Sequence, residues 1–213
     1  MPHLLIVDDH YIIRTGLKQV IETFLAHTTV EEAFDGDSAL EKVKHCDYDL
    51  IILDVNMPNT DSFGLLSNVL ALKPNTKVLM FSMNDEGIYA KRYLSIGARG
   101  YIRKDASPGE IQKAITTVLN NKKFISAELG EKLLNDLQNK EQSQDPFDKL
   151  SPREFEIVQH LTRGESVAEI SQNLKLHTST IGTHKSRIFD KLDCHNIIDL
   201  SELAKVHNVI TTS

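Results

Sequence analysis

Leu50-Ile51-Ile52-Leu53-Asp54-Val55-Asn56-Met57-Pro58 decides the reading of this chain. Four apolar residues, two of them β-branched, run directly into an aspartate, with Pro58 and Asn59-Thr60-Asp61 close behind. A short apolar run bounded by turn residues is the pattern of a strand buried on both faces in a parallel α/β sheet. Ligands of such sheets bind beyond the carboxyl ends of the strands, so Asp54 is expected at a site and not in the core.

A second run, Leu4-Leu5-Ile6-Val7, ends in Asp8-Asp9. If these strands are parallel neighbours, three carboxylates meet at one sheet edge. Their mutual repulsion calls for a cation, and Mg2+ suits a few carboxylates with its other positions left to water and phosphate oxygens. Val78-Leu79-Met80-Phe81 ends in the hydroxyl of Ser82, and Gly100-Tyr101-Ile102-Arg103 ends in Lys104.

Acid pair, lone acid, hydroxyl and lysine, each closing a strand and in this order, resemble the receiver domain of two-component response regulators over about the first 120 residues. The resemblance implies a flavodoxin-like fold with a five-stranded parallel sheet, in which Asp54 accepts a phosphoryl group from a sensor histidine kinase. It implies Mg2+ held by Asp9, Asp54 and the backbone carbonyl of Asn56, with Asp8 nearby or acting through water. Lys104 would pair with phosphoryl oxygens, Ser82 would hydrogen-bond to them, and Tyr101 would change rotamer as Ser82 moves. Asp105 stands where receivers often carry a cis proline, which leaves that peptide's geometry open.

The spacing of apolar residues predicts helices over 11–24, 38–45, 63–72, 86–95 and 111–119, with a strand over 28–34. Ser107-Pro108-Gly109-Glu110 reads as a capping box opening the last of these. A further helix over 126–138 carries Leu129, Leu133 and Leu137 four apart. It suits a packed linker helix or a dimer seam equally, since three leucines are too few for a coiled coil. The polar stretch Asn139–Lys149, with Phe147 as its one large apolar residue, reads as a flexible linker.

From Leu150 the pattern is short and helical. Ser151-Pro152-Arg153-Glu154 forms a second capping box, Gly164 ends that helix, and Ser166 to Glu169 cap the next. A third helix starts at Thr178 or Ser179 and runs to Leu192, and a fourth covers 198–206. Leu150 to Glu154, Gly164, Ile170-Ser171, Thr180 to His184, Ile188 and Lys191-Leu192 resemble the LuxR-type helix-turn-helix domain. Joined to a receiver, they make the chain similar to response regulators of the NarL/FixJ class. The implied function is a phosphorylation-dependent regulator of transcription that binds double-stranded DNA, with homodimerisation on activation. The expected domains are a receiver over 1–122, a linker over 123–149 and a DNA-binding domain over 150–213.

At 100° per residue, Ile181, His184, Ile188 and Leu192 share the inner stripe of the third helix. Ser179, Gly182, Thr183, Ser186 and Arg187 lie opposite, with Asp190. Thr178, Ser179, Gly182, Thr183, Lys185, Ser186 and Arg187 are the expected DNA contacts. Gly182 and Ser186 are neutral where the family is frequently basic. Lys185, Arg187 and Lys191 remain for phosphates.

Composition narrows the field further. The chain carries 24 Lys+Arg against 30 Asp+Glu, and from Leu150 onward 7 against 8. Neither part has the basic excess of a tight nonspecific nucleic-acid binder. Cys46 and Cys194 form no ligand pattern and read as reduced thiols, and the nine histidines are scattered without metal-ligand spacing. No apolar run reaches membrane-spanning length, and an acidic pair within nine residues of the start does not fit a signal peptide. The expected location is the cytoplasm. An aspartyl-nucleophile phosphohydrolase is the competing enzyme reading, but Asn56 holds the place of its second acid. A module whose output domain contacts protein instead of DNA is the other alternative.

Overall fold

The computed structural model describes residues 1–58, 60–138, 145–174, 176–207 and 209. The chain divides into two compact units, Met1–Leu134 and Asn135–Ser213.

Unit one is built on five parallel strands: β1 His3–Val7, β2 Thr29–Ala33, β3 Leu50–Asp54, β4 Lys77–Ser82 and β5 Gly100–Arg103. Their order across the sheet is β2-β1-β3-β4-β5. Every residue of β3 is buried, because helices cover both faces of a parallel sheet. Leu4, Ile6, Leu50, Ile52, Leu79, Phe81 and Ile102 point to one face. They pack against Leu17 and Ile21 of α1 (Tyr11–Phe24) and Ile111, Ala114, Ile115 and Val118 of α5 (Pro108–Leu119). The alternate residues Leu5, Val7, Ile51 and Leu53 are buried as well. The remaining layer is α2 (Gly36–His45), α3 (Ser62–Leu72) and α4 (Glu86–Ile96), each touching the next.

Local chemistry sets the helix ends. The helix expected over 38–45 begins two residues earlier, at Gly36, because Asp35 caps it: its side chain accepts from Ser38 N–H and its own N–H donates to the Ser38 hydroxyl. Ser107 and Glu110 form the expected box at α5. Gly97 follows α4 and Gly164 follows the first helix of unit two, α7 (Pro152–Thr162), with φ of 128° and 84°, a conformation that a side chain resists.

The chain after α5 does not leave the sheet at once. Phe124 bridges to Gly100 in parallel, its N–H donating to Arg99 O at 2.9 Å and its carbonyl accepting from Tyr101 N–H at 3.3 Å. Ser126 N–H then donates to Glu86 Oε1 at 3.0 Å, and α6 (Ala127–Gln138) begins with Leu129 buried. The part of the expected linker up to Leu134 is therefore packed on unit one. Of the leucines on α6, Leu134 is exposed; the side chains of Leu133 and Leu137 lie outside the described residues.

Unit two is helical: α7 Pro152–Thr162, α8 Val167–Asn173, α9 Thr178–Leu192 and α10 Ile197–Val206. Phe155, Ile157, Val158, Leu161, Ile170, Ile181, Ile188 and Leu200 form its core. The flexible-linker reading fails at its C-terminal end. Pro146–Lys149 is a 3-10 turn capped by Asp145, and Phe147 is fully buried, edge-on to Phe155 with ring centroids 6.4 Å apart. Residues 139–144 of that expected linker lie outside the described residues. Among the described residues no helix is long and apolar enough to cross a membrane.

Candidate functional site

The carboxyl ends of β1 and β3 lie side by side, with Val7 paired to Leu53, so the acids that follow converge. Oxygens of Asp8, Asp9 and Asp54 and a ring nitrogen of His10 all lie within 4.8 Å of one another. Asp8 and Asp54 are each 1% exposed, a burial that carboxylates tolerate only with partners. Lys104 supplies one, its Nζ standing 2.7 Å from Asp8 Oδ2 and 2.8 Å from Asp54 Oδ2. The lysine reaches there because Lys104 N–H donates to Ser82 O at 2.9 Å, fixing the backbone just past β5.

The cluster's electrostatics follow from this geometry. Burial pushes the Asp54 carboxyl above the usual carboxylate range, opposed by Lys104 and by the Asn56 N–H that donates to Oδ1 at 3.1 Å. Burial also works against the Lys104 ammonium, but its bonds to Asp54 and Asp8 outweigh that and hold its pKa high. Two of the three acids thus share one lysine, and His10 Nδ1 stands 2.9 Å from Asp9 and 3.3 Å from Asp8. Hard carboxylate oxygens in excess of the local positive charge form a donor set that fits a divalent cation. His10 was missed in the sequence: scattered histidines carry no spacing signal, and only its place directly after the acid pair could have pointed to it.

Ser82 and Tyr101 form a second group. Both are fully buried. Ser82 Oγ accepts from Asn84 N–H at 3.0 Å, and Tyr101 Oη donates to Asn84 O at 3.1 Å. Burial pushes the Tyr101 phenol pKa well up. Asn56, whose side chain is exposed, pairs with the Asn84 amide. No peptide bond among the described residues is cis, the Lys104-Asp105 bond included.

In unit two, α9 follows α8 after a short turn and presents Thr178, Ser179, Gly182, Thr183, Ser186 and Arg187 as an exposed polar face. Lys185 is half-buried, its Nζ 5.5 Å from the Phe189 ring centroid. His184 lies on the inner side, and burial lowers its pKa. Lys191 differs from expectation. Its Nζ donates to Glu154 Oε2 at 2.6 Å, tying the end of α9 to the capping box of α7 instead of facing outward for a phosphate.

Comparison with known proteins agrees with both halves. Residues 4–116 match the response regulator receiver domain, and residues 148–204 match the luxR family of bacterial regulatory proteins. Response regulator GacA of Pseudomonas viridiflava is 30% identical over 213 residues, covering 100% of both chains. Response regulator UvrY of Escherichia coli (strain K12) is 28% identical over 209 residues, 98% of this chain and 96% of that one. Among solved structures, RcsB from Salmonella enterica serovar Typhimurium, bound to promoter rprA with the phosphomimetic BeF3-, superposes with a TM-score of 0.74. It is 24% identical and covers 96% of this chain and 98% of its own, a likeness of fold. A receiver with its acids gathered at one sheet edge, followed by a helix-turn-helix unit with an exposed polar helix, makes this chain a member of the response regulators, one whose output domain is a LuxR-type DNA-binding domain.

Proposed function

We propose that Asp54 accepts a phosphoryl group from a phosphohistidine of a sensor kinase and that this charge change governs DNA binding by the second unit. The observation that carries the reading is the buried set Asp8, Asp54 and Lys104, in which one lysine spans two carboxylates at 2.7 and 2.8 Å. An Asp54 oxygen attacks phosphorus, a P–O bond forms, and the P–N bond to the imidazole breaks, leaving a histidine that regains a proton. Lys104 already sits against the attacking carboxylate and is placed to follow charge onto the phosphoryl oxygens. Asp8, Asp9, Asp54 and the carbonyl of Asn56 would hold Mg2+, whose contribution is to offset the negative charge of the transferring group. Ser82 supplies a hydroxyl to the phosphoryl oxygens, and Tyr101 responds to it.

On the DNA side, α9 enters the major groove, with Thr178, Ser179, Gly182, Thr183, Lys185, Ser186 and Arg187 as contacts. With few free cations on that face, two copies of the domain on a repeated site provide useful affinity. DNA-bound RcsB dimers have been solved, which supports the dimeric reading here. The division of labour is a receiver that includes the packed segment to Leu134 and an output domain that begins near Asp145.

The test is incorporation of base-labile, hydroxylamine-sensitive phosphate from a small acyl phosphate donor with Mg2+. Wild type should take up phosphate at one site, and Asp54→Asn should take up none. Because burial disfavours the Asp54 carboxylate, the same substitution should raise the melting temperature of the metal-free protein. Phosphate retained by Asp54→Asn refutes the assignment.

A further inference from the structure

The loops that follow β3 and β4 are joined side chain to side chain. Asn56 Nδ2 donates to Asn84 Oδ1 at 3.0 Å, and Asn84 Nδ2 donates to Asn56 Oδ1 at 3.1 Å. Such a closed amide pair has one geometry, so the two loops cannot shift independently without breaking two bonds. Each asparagine also bonds through its backbone to a residue of the proposed phosphorylation site. Asn56 N–H donates to Asp54 Oδ1 at 3.1 Å, and Asn84 N–H donates to Ser82 Oγ at 3.0 Å. The carbonyl of Asn84 then accepts the Tyr101 hydroxyl at 3.1 Å.

We propose that Asn84 is a positioning residue, which with Asn56 forms the joint that makes Tyr101 follow the state of Asp54. The proposal rests on the function proposed above. Converting the Asp54 carboxylate to an acyl phosphate removes charge from the oxygen that Asn56 N–H holds, and weakens that bond. At the same time the phosphoryl oxygens give the Ser82 hydroxyl an acceptor, and Ser82 Oγ carries the Asn84 peptide with it. A single hydrogen bond at either loop would let the chain absorb these shifts locally. The bidentate pair passes them on as one displacement of the Asn84 peptide. Tyr101 is fully buried, and its hydroxyl bonds to the Ser82 side chain as well as to Asn84 O, so a displacement of this loop carries both of its partners. The ring must therefore re-seat when the joint moves.

The experiment uses the full chain with its five tyrosines replaced by 3-fluorotyrosine and read by fluorine NMR. Tyr101→Phe identifies the signal of Tyr101. Acetyl phosphate with Mg2+ is the probe. In wild type the Tyr101 signal should move on phosphorylation. Asn84→Ala, which keeps both backbone bonds and deletes the amide, should take up phosphate yet lose most of that movement, because contacting residues of one hydrogen-bond network are coupled. Asn84→Gln, which keeps the amide, should restore the response at least in part. A merely structural role would lower the melting temperature in Asn84→Ala and leave the Tyr101 movement whole; that result overturns the proposal. So does loss of phosphate uptake in Asn84→Ala with wild-type uptake intact, because it would place Asn84 in the transfer itself. Failure of wild type to take up phosphate is a separate outcome, which sinks the proposed function and this joint with it.

Discussion

Replacing Gly182 with lysine tests how the output domain holds DNA. Gly182 sits in the middle of α9, exposed, and a Cβ built there meets nothing within 4 Å. The substitution therefore meets no steric obstacle and should gain about 0.8 kcal/mol of helix stability from propensity alone. For a domain of this size that is a rise of about 4 °C in its melting transition. The electrostatic effect is separate. With Lys191 bound to Glu154, the cations left on α9 are Arg187, which is exposed, and Lys185, which is half-buried against Phe189. Two neutralised phosphates per domain give a slope of log affinity on log salt of about −2, and a lysine at 182 steepens it by about 0.9. Between 50 and 200 mM salt the advantage of the variant over wild type should then shrink about threefold. The assay is a series of binding isotherms on DNA selected from a random pool. An unchanged slope in Gly182→Lys would take that face of α9 away from the phosphates and refute the placement of the helix.

Three further outcomes follow from particular side chains. Phe147→Ala should cost about 3–5 kcal/mol and abolish the cooperative melting of unit two, since Phe147 is fully buried against Phe155; a change under about 1 kcal/mol would restore 145–149 to the linker. The His184 ring should titrate below its ordinary 6.5 by NMR, chiefly through burial. A lowered folded value means stability that is whole above the unfolded pKa and is lost as pH falls below it, so His184→Gln should flatten the stability decline below about pH 6.5; an unchanged decline would exclude this histidine. Met83 is 58% exposed beside Ser82, and Met83→Ala should shorten the acyl phosphate lifetime severalfold by admitting water, with an unchanged half-life removing Met83 from the site.

What the sequence reveals here follows the range over which its signals act. The run Leu50–Asp54 announces a doubly buried strand because period and composition are local, and the capping boxes at Ser107, Ser151 and Ser166 appear as written. The convergence of Asp8, Asp54 and Lys104 is legible because parallel order brings strand ends to one edge. Long-range pairings leave no such trace. Lys191 looks like a free cation until Glu154, 37 residues away, is found beneath it. Phe147 looks like a stray in a polar stretch until Phe155 and His207 close over it. His10 carries no periodic signal at all, and its relation to Asp8 and Asp9 is a matter of how the chain turns into α1.

The bridge between Phe124 and Gly100 bears on how this protein lives in a crowded solution. β5 is an edge strand, and a bare edge invites other chains to add to it. The returning chain occupies part of that row. It can do so because a Cβ at Gly100 would stand 2.9 Å from Phe124 O and 2.9 Å from Leu79 Cδ1. Any larger residue at 100 would lever the returning chain away and lay the row open. Such a variant could keep Asp54, Lys104 and α9 in place and still be lost to self-association, so one missing methyl group guards the solubility of the receiver.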